Sequence, residues 1–437
     1  MKPTKGKRVD FEPVYPDVYK YGNIMTKNIT WEGDPWYEVG QSYFESSYIH
    51  AGISGPEECY SGPDAQKLLS DTSINDVYKW KIGKCKHIVN LTPDGLVANH
   101  ALFWRDGEDS FKTTAGCTVP IEMARASGNY NCEHTMRNIF VFQFSGPKAL
   151  TILEKATQEN HHDLKFLEIR KTRIPSIDCE LDIVRIGMSG TIAYELHGDA
   201  QFGPEVYDYV YQIGLPMGMK RMGWKDYTVN HTFGGFPQMT VNFELSLYQS
   251  PEFCAVAPFP LLCTGSVDPK DLRARFRSVP ECDWEFMAKF NHEFIGRQAL
   301  KEELAHPKRK IVTLEFNKED LVDVYASQFS DDPYKFMDMP CAQPQPAGGH
   351  QDYVCDKDGN VIGIAANPTY SSHYHTTICH AIIDVDKIEQ GKEVIVKWGD
   401  FGKKIKDLRA TITRYPYIND VEDNRTYNVD SIPSGLE

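Results

Sequence analysis

A single carboxylate in a strand-like segment is the first residue whose setting could do chemistry. In IVRIGMSGTIAYELHG (183–198) the chain passes through two glycines, after which Glu195 stands between Tyr194 and Leu196. At a strand end this acid would lie in water. Facing a ligand that offers hydrogen-bond donors, it would be a binding group, because a carboxylate accepts two donors side by side. The segment alone leaves both interpretations open.

Two further stretches place polar residues among apolar neighbours. GLVANHALFWR (95–105) sets Asn99 and His100 between apolar flanks, where a buried amide and imidazole need partners. KRMGWKDYTVNHTFGGFP (220–237) carries Lys225, Tyr227 and His231 just before a Gly-Gly-Phe-Pro turn. On spacing alone, internal hydrogen bonding accounts for the first stretch and an ordinary polar loop for the second. The edge of a binding site is the alternative for both.

Other reactive patterns are weaker. HYHTTICH (373–380) contains a His-x-His pair that can bind zinc, but no acidic partner is placed to orient it, so a histidine-bearing turn and strand is favoured and no metal is predicted. No glycine cluster has the spacing of a phosphate-binding or dinucleotide-binding loop. There is no G-x-S-x-G, and nothing singles out one cysteine–histidine pair as a nucleophile.

Composition excludes several classes of function. The 437 residues carry a net charge of −14, which disfavours nucleic-acid binding because that needs a basic face. The sequence contains no apolar run of about 18 residues, so no membrane span is predicted. The N-terminus also lacks the apolar core of a signal peptide. The eleven cysteines include no C-x-x-C. We therefore expect reduced thiols and a cytoplasmic protein.

The elements that must position these residues alternate between strands and helices. SGPDAQKLL (61–69) and SGPKALTIL (145–153) repeat a turn followed by an amphipathic helix, and the second follows a β-prone run, 139–144. A strand is predicted over 182–188, a helix from 202, a long connection over 249–281, a helix from about Ile295 and a strand over 310–316. Short β runs after 350, with an Asp358-Gly359 hairpin signal, predict a C-terminal antiparallel sheet or barrel.

Taken in order, these motifs resemble the glycine cleavage T-protein (aminomethyltransferase) family over most of the chain. The resemblance rests on SGPDAQKLL, IGKCKHIVNLTPDGLVANHALFW, FSGPKALTIL, RIGMSGTIAYELHG, AKFNHEFIGRQAL and GNVIGIAANPTYSSHYHTTICHAIIDV. Within the family the chain is most similar to tetrahydrofolate-dependent aryl O-demethylases that act on vanillate and related lignin aromatics. The most telling segments are KLLSDTSIN, KFNHEFIGRQAL and residues 324–340.

The resemblance implies a fold and its domains. It implies an α+β, three-domain, ring-like fold with folate in a central channel and a C-terminal antiparallel β-barrel. Domain 1 would comprise 1–52 and 137–250, domain 2 would comprise 53–136 and 251–305, and the C-terminal domain would comprise 306–437.

The resemblance also assigns residues to tetrahydrofolate. Glu195, with Tyr194 beside it, falls in the family's G-x-x-Y-E segment, whose glutamate binds the pterin's amino and ring N–H groups. Asn99 and His100 stand where the T-protein has a pair of aspartates, so the acid that handles an aminomethyl group is missing from this chain. Lys225 replaces an arginine on the folate side, and a lysine is a point charge rather than a fork.

On the substrate side, Tyr227 falls where the vanillate-type enzymes carry a catalytic tyrosine, and His100 or His231 could relay its proton. Cys117 occupies the place of the arginine that holds the substrate carboxylate, and His50 or Ile49 falls near the family's histidine. Phe236 is expected to wall the substrate ring. These departures favour a methoxyaromatic that lacks the carboxylate or holds it elsewhere.

The resemblance thus implies an enzyme that moves a methyl group from a methoxyaromatic small molecule to N5 of tetrahydrofolate, with neither metal nor nucleic acid involved. Two alternatives remain open at this stage. One is a demethylase of a sulfonium or amine, which needs no acid for its leaving group. The other is a folate-binding protein without catalysis, for which Tyr227 would have no use.

Overall fold

The fold contains one large sheet of ten strands. The computed structural model describes residues 33–51, 55–114, 118–187, 190–257, 261, 263–342 and 349–436, together with the backbone of three strands that precede them. The three preceding strands form a small antiparallel sheet of β1 (Glu12–Tyr15), β2 (Val18–Tyr21) and β3 (Ile24–Lys27). The large sheet consists of β4 (Tyr48–His50), β5 (Gly55–Ser61), β6 (Cys85–Leu91), β7 (Val97–Gly107), β8 (Ser110–Thr114), β9 (Glu133–Ser145), β10 (Ile169–Ile174), β11 (Cys179–Val184), β12 (Ala193–Asp199) and β13 (Lys220–Arg221).

Strand order in this sheet is β10-β11-β12-β9-β5-β8-β7-β6, with β4 against β9 and β13 beside β4. All pairs are antiparallel except β13 with β4. Because strand side chains alternate between faces, the register places Glu195, Gln143, Thr114 and His100 on one side, which we call the inner face.

The helices of the described residues are α1 (Trp36–Glu45), α2 (Ala65–Thr72), α3 (Val119–Ala126), α4 (Ala149–Thr157), α5 (Gly203–Gly214), α6 (Trp224–Gly234), α7 (Pro251–Val256), α8 (Arg297–Ala305) and α9 (Lys318–Ser327). Of these, α2, α3, α4 and α5 cover the opposite side of the sheet, the outer face. Phe142, Phe144 and Leu196 of the sheet pack with Leu150 of α4 and Val206 of α5. Around the other half of the sheet, residues such as Phe103 pack with α2 in the same manner.

The two SGP motifs explain this repeated arrangement. Each motif turns the chain from a strand into a helix on the outer face, α2 in one half and α4 in the other. Gly62 and Gly146 have φ angles of +126° and +123°, and an added Cβ would lie 2.8 Å from the Asn131 carbonyl oxygen and 2.6 Å from that of Ser46. Only glycine fits both the backbone conformation and the close approach. The prediction of two related α+β halves agrees with this arrangement.

The C-terminal strands form a closed barrel. They are β14 (Arg309–Phe316), β15 (Gln351–Cys355), β16 (Val361–Ala366), β17 (Thr369–Ser371), β18 (Thr376–Asp384), β19 (Glu393–Trp398) and β20 (Lys406–Thr413). The order β14-β20-β19-β15-β16-β18 closes through pairing of β14 with β18. Trp398, Leu314 and Leu408 fill its core. The predicted α+β fold with a C-terminal antiparallel β-barrel is confirmed, whereas the predicted domain boundaries stay a prediction.

Two local predictions need correction. The strand predicted over 182–188 ends at Val184, where the Ile186 amide turns back to donate to the Val184 carbonyl at 3.1 Å. The connection predicted over 249–281 contains α7, which begins at Pro251 and is capped by the Ser250 hydroxyl accepting from the Phe253 amide at 3.2 Å. The predicted strands over 139–144 and 310–316 lie within β9 and β14.

Candidate functional site

Glu195 lies in the middle of a strand, not at its end. In β12 it pairs with Val184 on one side and Gln143 on the other, and it is only 5% exposed. Its Oε1 accepts from the Gln143 amide at 3.3 Å, and its Oε2 accepts from His197 Nε2 at 2.9 Å. The interpretation of this residue as an acid in water is therefore excluded.

The hydrogen bonding of Glu195 leaves room for a ligand. A carboxylate offers about four acceptor positions, and the two bonds from Gln143 and His197 occupy two. No lysine or arginine of the described residues forms an ion pair with it. A buried carboxylate without a cation is costly unless further donors reach it. Ser145 Oγ and His197 Nδ1 are also buried on this side, with no partner in the described part of the chain. The spare acceptor positions of Glu195 can therefore take N–H groups of a ligand.

Tyr227 lies between two imidazoles. The His50 ring stacks on it at 4.5 Å between centroids, and the His231 ring, one turn further along α6, lies at 4.3 Å. His50 Nδ1 donates to the Met222 carbonyl at 3.2 Å, and His231 Nδ1 donates to the Tyr227 carbonyl at 2.7 Å. With Nδ1 carrying the proton, each neutral ring presents Nε2 as an acceptor.

The setting of Tyr227 keeps its hydroxyl protonated. Burial, and then the charges of Glu195 and Tyr48, raise the pKa of Tyr227 above its ordinary value of 10. A phenol with a raised pKa is a neutral donor over the whole physiological range. Because the charge of Glu195 contributes to raising the pKa of Tyr227, the two residues lie within electrostatic range of each other.

His100 forms a buried pair with His87 from the neighbouring strand. His87 Nε2 and His100 Nδ1 are 2.8 Å apart, within hydrogen-bond distance. Trp284 lies 4.9 Å and Phe236 lies 5.7 Å from the His100 ring, centroid to centroid. Phe236 also lies 6.0 Å from His231, so it contacts both histidine groups. The structure thus brings together Glu195, His50, Tyr227, His231, Phe236 and His100 along the inner face.

Other predicted site residues lie elsewhere. Tyr194 alternates with Glu195 and packs into the hydrophobic core of the outer face. Asn99 alternates with His100 in the same way and donates to Asn90 Oδ1 at 2.8 Å. Lys225 and Tyr227 are two residues apart in α6, so their side chains point about 200° apart around the helix axis. Lys225 Nζ instead forms an ion pair with Asp338 Oδ2 at 2.7 Å. Their predicted roles toward folate stay predictions, and this placement does not favour them.

Cys117 lies outside the described residues, so its predicted role stays a prediction. In the stretch HYHTTICH, His373 stacks on Phe44 at 3.5 Å, whereas His380 donates from Nε2 to the Thr232 carbonyl at 2.7 Å. Their different partners match the predicted histidine-bearing turn and strand.

Sequence reasoning missed His87, His197, Gln143 and Trp284. His197 was within reach, because a residue two positions from Glu195 in a strand shares its face. His87 needed the β6–β7 register, and Trp284 needed the packing of a distant loop, neither of which a single sequence provides.

No helix in the part of the chain that the structure describes has the length and apolar character to span a bilayer. By fold and site, the molecule is an α+β protein with a C-terminal β-barrel and a buried polar inner face. Over 91% of its length it superposes on 92% of the glycine cleavage system aminomethyltransferase T from Bartonella henselae, with a TM-score of 0.65 and 13% identity.

Sequence comparisons give the family. The model of the GCVT N-terminal domain matches residues 57–231. A sesamin methylene transferase of Sinomonas sp. (strain No.22) is 32% identical over 89% of this chain and 90% of its own length. A syringate O-demethylase of Sphingobium sp. (strain NBRC 103272 / SYK-6) is 27% identical over 90% of this chain and 88% of its own. The chain belongs to the glycine cleavage T-protein family, near its O-demethylases, and these relatives are enzymes that transfer one-carbon groups.

Proposed function

We propose that the protein moves a methyl group from the ether oxygen of a methoxylated aromatic compound to N5 of tetrahydrofolate, giving a phenol and 5-methyltetrahydrofolate. One observation carries the proposal: the inner face holds both a buried acceptor with spare capacity, Glu195, and a buried tyrosine between two imidazoles, Tyr227. The first suits a pterin edge and the second suits the leaving oxygen.

Glu195 would hold the pterin in one orientation. Its two remaining acceptor positions suit adjacent N–H groups, and charge-assisted bonds of this kind are about twice as strong as neutral ones. Gln143 and His197 fix the carboxylate from the other side. Bound tetrahydrofolate would supply the nucleophile, so no metal is needed.

Tyr227 would stabilise the leaving group. As the bond between methyl carbon and oxygen breaks, its electron pair stays on the aryl oxygen, which needs a proton or a strong hydrogen bond. The raised pKa of Tyr227, caused first by burial, keeps its hydroxyl available as that donor at neutral pH. His231 and His50, whose Nδ1 atoms donate to backbone carbonyls, would accept at Nε2 and so orient the hydroxyl and return a proton to it.

Anaerobic incubation with tetrahydrofolate and a panel of methoxyaromatics, with and without a carboxylate, tests the proposal. Equal amounts of phenol and 5-methyltetrahydrofolate by mass spectrometry support it. Tetrahydrofolate binding without turnover of any member contradicts it and favours a sulfonium or amine donor or a purely folate-binding role.

A second candidate is suggested by the sesamin methylene transferase. A methylene bridging two aryl oxygens would be transferred without oxidation or reduction, because both hydrogens that the folate loses end on the two phenol oxygens. The folate product would then be the 5,10-methylene form, lighter by two hydrogens than the 5-methyl form, so the same mass measurement separates the two reactions.

We place the reaction in the cytoplasmic breakdown of lignin-type aromatics. The cysteines that the structure describes are free thiols, which suits a reducing compartment.

A further inference from the structure

The histidine pair on the inner face has an unused nitrogen. His87 and His100 are joined through Nε2 and Nδ1 at 2.8 Å, which leaves His100 Nε2 outside this hydrogen bond. This nitrogen is buried and has no partner in the described part of the chain, and His100 as a whole is 8% exposed. A buried polar atom without a partner costs about 1–3 kcal/mol, so the atom indicates a missing ligand group.

The surroundings of the pair are aromatic. Phe236, Phe243 and Trp284 lie 5.7, 6.0 and 4.9 Å from the His100 ring, and His87 lies 5.1 Å from Phe236 and 5.2 Å from Trp284. We call these three rings the aromatic wall. Such a wall favours a flat aromatic ligand through offset or edge-to-face contacts.

The pair is also uncharged. Burial lowers the pKa of His87 to about 4, and burial, with the repulsion that a protonated His87 or His231 would add, lowers the pKa of His100 well below 6.5. Neither ring forms an ion pair or hydrogen bond with a lysine or arginine in the described part of the chain, so the pair itself offers no cation to a substrate carboxylate. A neutral His100 instead presents Nε2 as a donor when His87 Nε2 donates to its Nδ1, and as an acceptor when its own Nδ1 donates to His87, so the two tautomers suit different ligand oxygens.

We propose that the His87–His100 pair and the aromatic wall bind an uncharged, oxygen-substituted benzene ring, with His100 Nε2 hydrogen-bonded to a second ring oxygen that is not the leaving ether. His87 is the positioning residue, since it holds His100 through Nδ1. The proposal rests on the proposed function only in taking this ring to be the methyl donor.

Phe236 supports the choice of a second oxygen. It contacts both His231, beside Tyr227, and His100. A ring lying along Phe236 would meet a donor group at each end: Tyr227 for the ether oxygen and His100 for the other oxygen. A ring with a single oxygen would leave His100 Nε2 unsatisfied.

Binding without folate tests the inference separately from catalysis. Tryptophan fluorescence and calorimetry would compare 2-, 3- and 4-methoxyphenol with methoxybenzene and with vanillate, for the full chain and two variants. His87→Leu removes the partner of His100, whereas His87→Gln keeps an amide near the position of the lost Nε2 and serves as the matched control. Circular dichroism would establish that both variants fold.

We expect at least one methoxyphenol to bind more tightly than methoxybenzene and vanillate. His87→Leu should weaken that methoxyphenol about tenfold, the size of one net hydrogen bond, leave methoxybenzene unchanged, and be rescued by His87→Gln. Equal weakening of both ligands, or tightest binding of vanillate, would overturn the inference. Selective phenol binding without methyl transfer would instead refute the proposed function and leave this site standing.

Discussion

Replacing Glu195 with glutamine tests the core of the proposed site. The change is isosteric, and the retained oxygen can still accept from His197 or from the ligand. The second oxygen becomes an NH₂ group, which presents a donor where the pterin also presents one. Within the described residues Glu195 accepts two bonds, so the two remaining acceptor positions are those the ligand would use.

The expected magnitude follows from that count. Hydrogen bonds to a charged group contribute about 1.5–3 kcal/mol each. The glutamine variant loses one such bond to the pterin, and its NH₂ group faces a pterin N–H group, so two donors meet without an acceptor. We therefore expect a loss of about 2–4 kcal/mol, which is roughly 30-fold to 700-fold in the dissociation constant of tetrahydrofolate. Anaerobic titration calorimetry measures this directly.

The matched control is Glu154→Gln. Glu154 is also fully buried, but it belongs to α4 on the outer face, where it accepts from the amides of His161 and Gly435. The same chemical change there should leave folate affinity within about twofold. If Glu195→Gln binds tetrahydrofolate as the native protein does, or if both variants lose affinity equally, Glu195 is not the pterin acceptor.

Three further predictions concern Tyr227, His87 and Glu244. Tyr227→Phe should lower kcat for an aryl ether by about 10²–10⁴ with unchanged folate affinity, whereas a sulfonium donor would be nearly unaffected; steady-state kinetics with both donors checks this. Because burial lowers the pKa of His87 to about 4 and the unfolded chain titrates near 6.5, the free energy of unfolding should fall as pH drops through that window. His87 accounts for a loss of about 2 kcal/mol in the free energy of unfolding between pH 7 and pH 5. Urea unfolding of His87→Gln should therefore show a free energy of unfolding that falls less steeply with decreasing pH. Burial raises the pKa of Glu244 from 4.5 to about 7, so the folded protein loses stability as pH rises through that range. Glu244→Gln should gain about 1 kcal/mol at pH 8 relative to pH 6, and equal urea midpoints for variant and native protein at both pH values would contradict this.

The sequence predicted the elements better than the contacts between them. The SGP repeats, the strand before the second one and the C-terminal hairpin have local signals, namely glycine and proline at fixed places and alternating apolar residues, and all appear in the fold. The short helix at Pro251 also had a signal, a serine cap before proline, which the proline-rich composition of its surroundings obscured.

The site shows where single-sequence reasoning stops. Glu195 and Tyr194 were assigned together because they are adjacent in one motif, but adjacent strand residues face opposite sides, and Tyr194 packs in the core. Asn99 and His100 separate for the same reason. That correction was available from periodicity. The stacking of His50 on Tyr227 was not, because it depends on how α6 docks against a sheet formed by distant parts of the chain.

Helix α6 connects the inner face to the barrel, and this explains how a tyrosine can be held there. On one side it carries Tyr227 and His231. At its C-terminal end, the Thr232 carbonyl accepts from His380 at 2.7 Å and the Gly235 carbonyl just beyond accepts from Tyr415 at 2.6 Å. Both donors belong to the C-terminal part of the chain, and they occupy carbonyls that a helix end leaves unsatisfied. The barrel thereby anchors the helix that carries the proposed proton donor, while β12 positions the carboxylate within a paired strand. Two elements, each hydrogen-bonded to other parts of the chain, thus carry the proposed acid and the proposed pterin acceptor, and a direct one-carbon transfer requires groups positioned in this way.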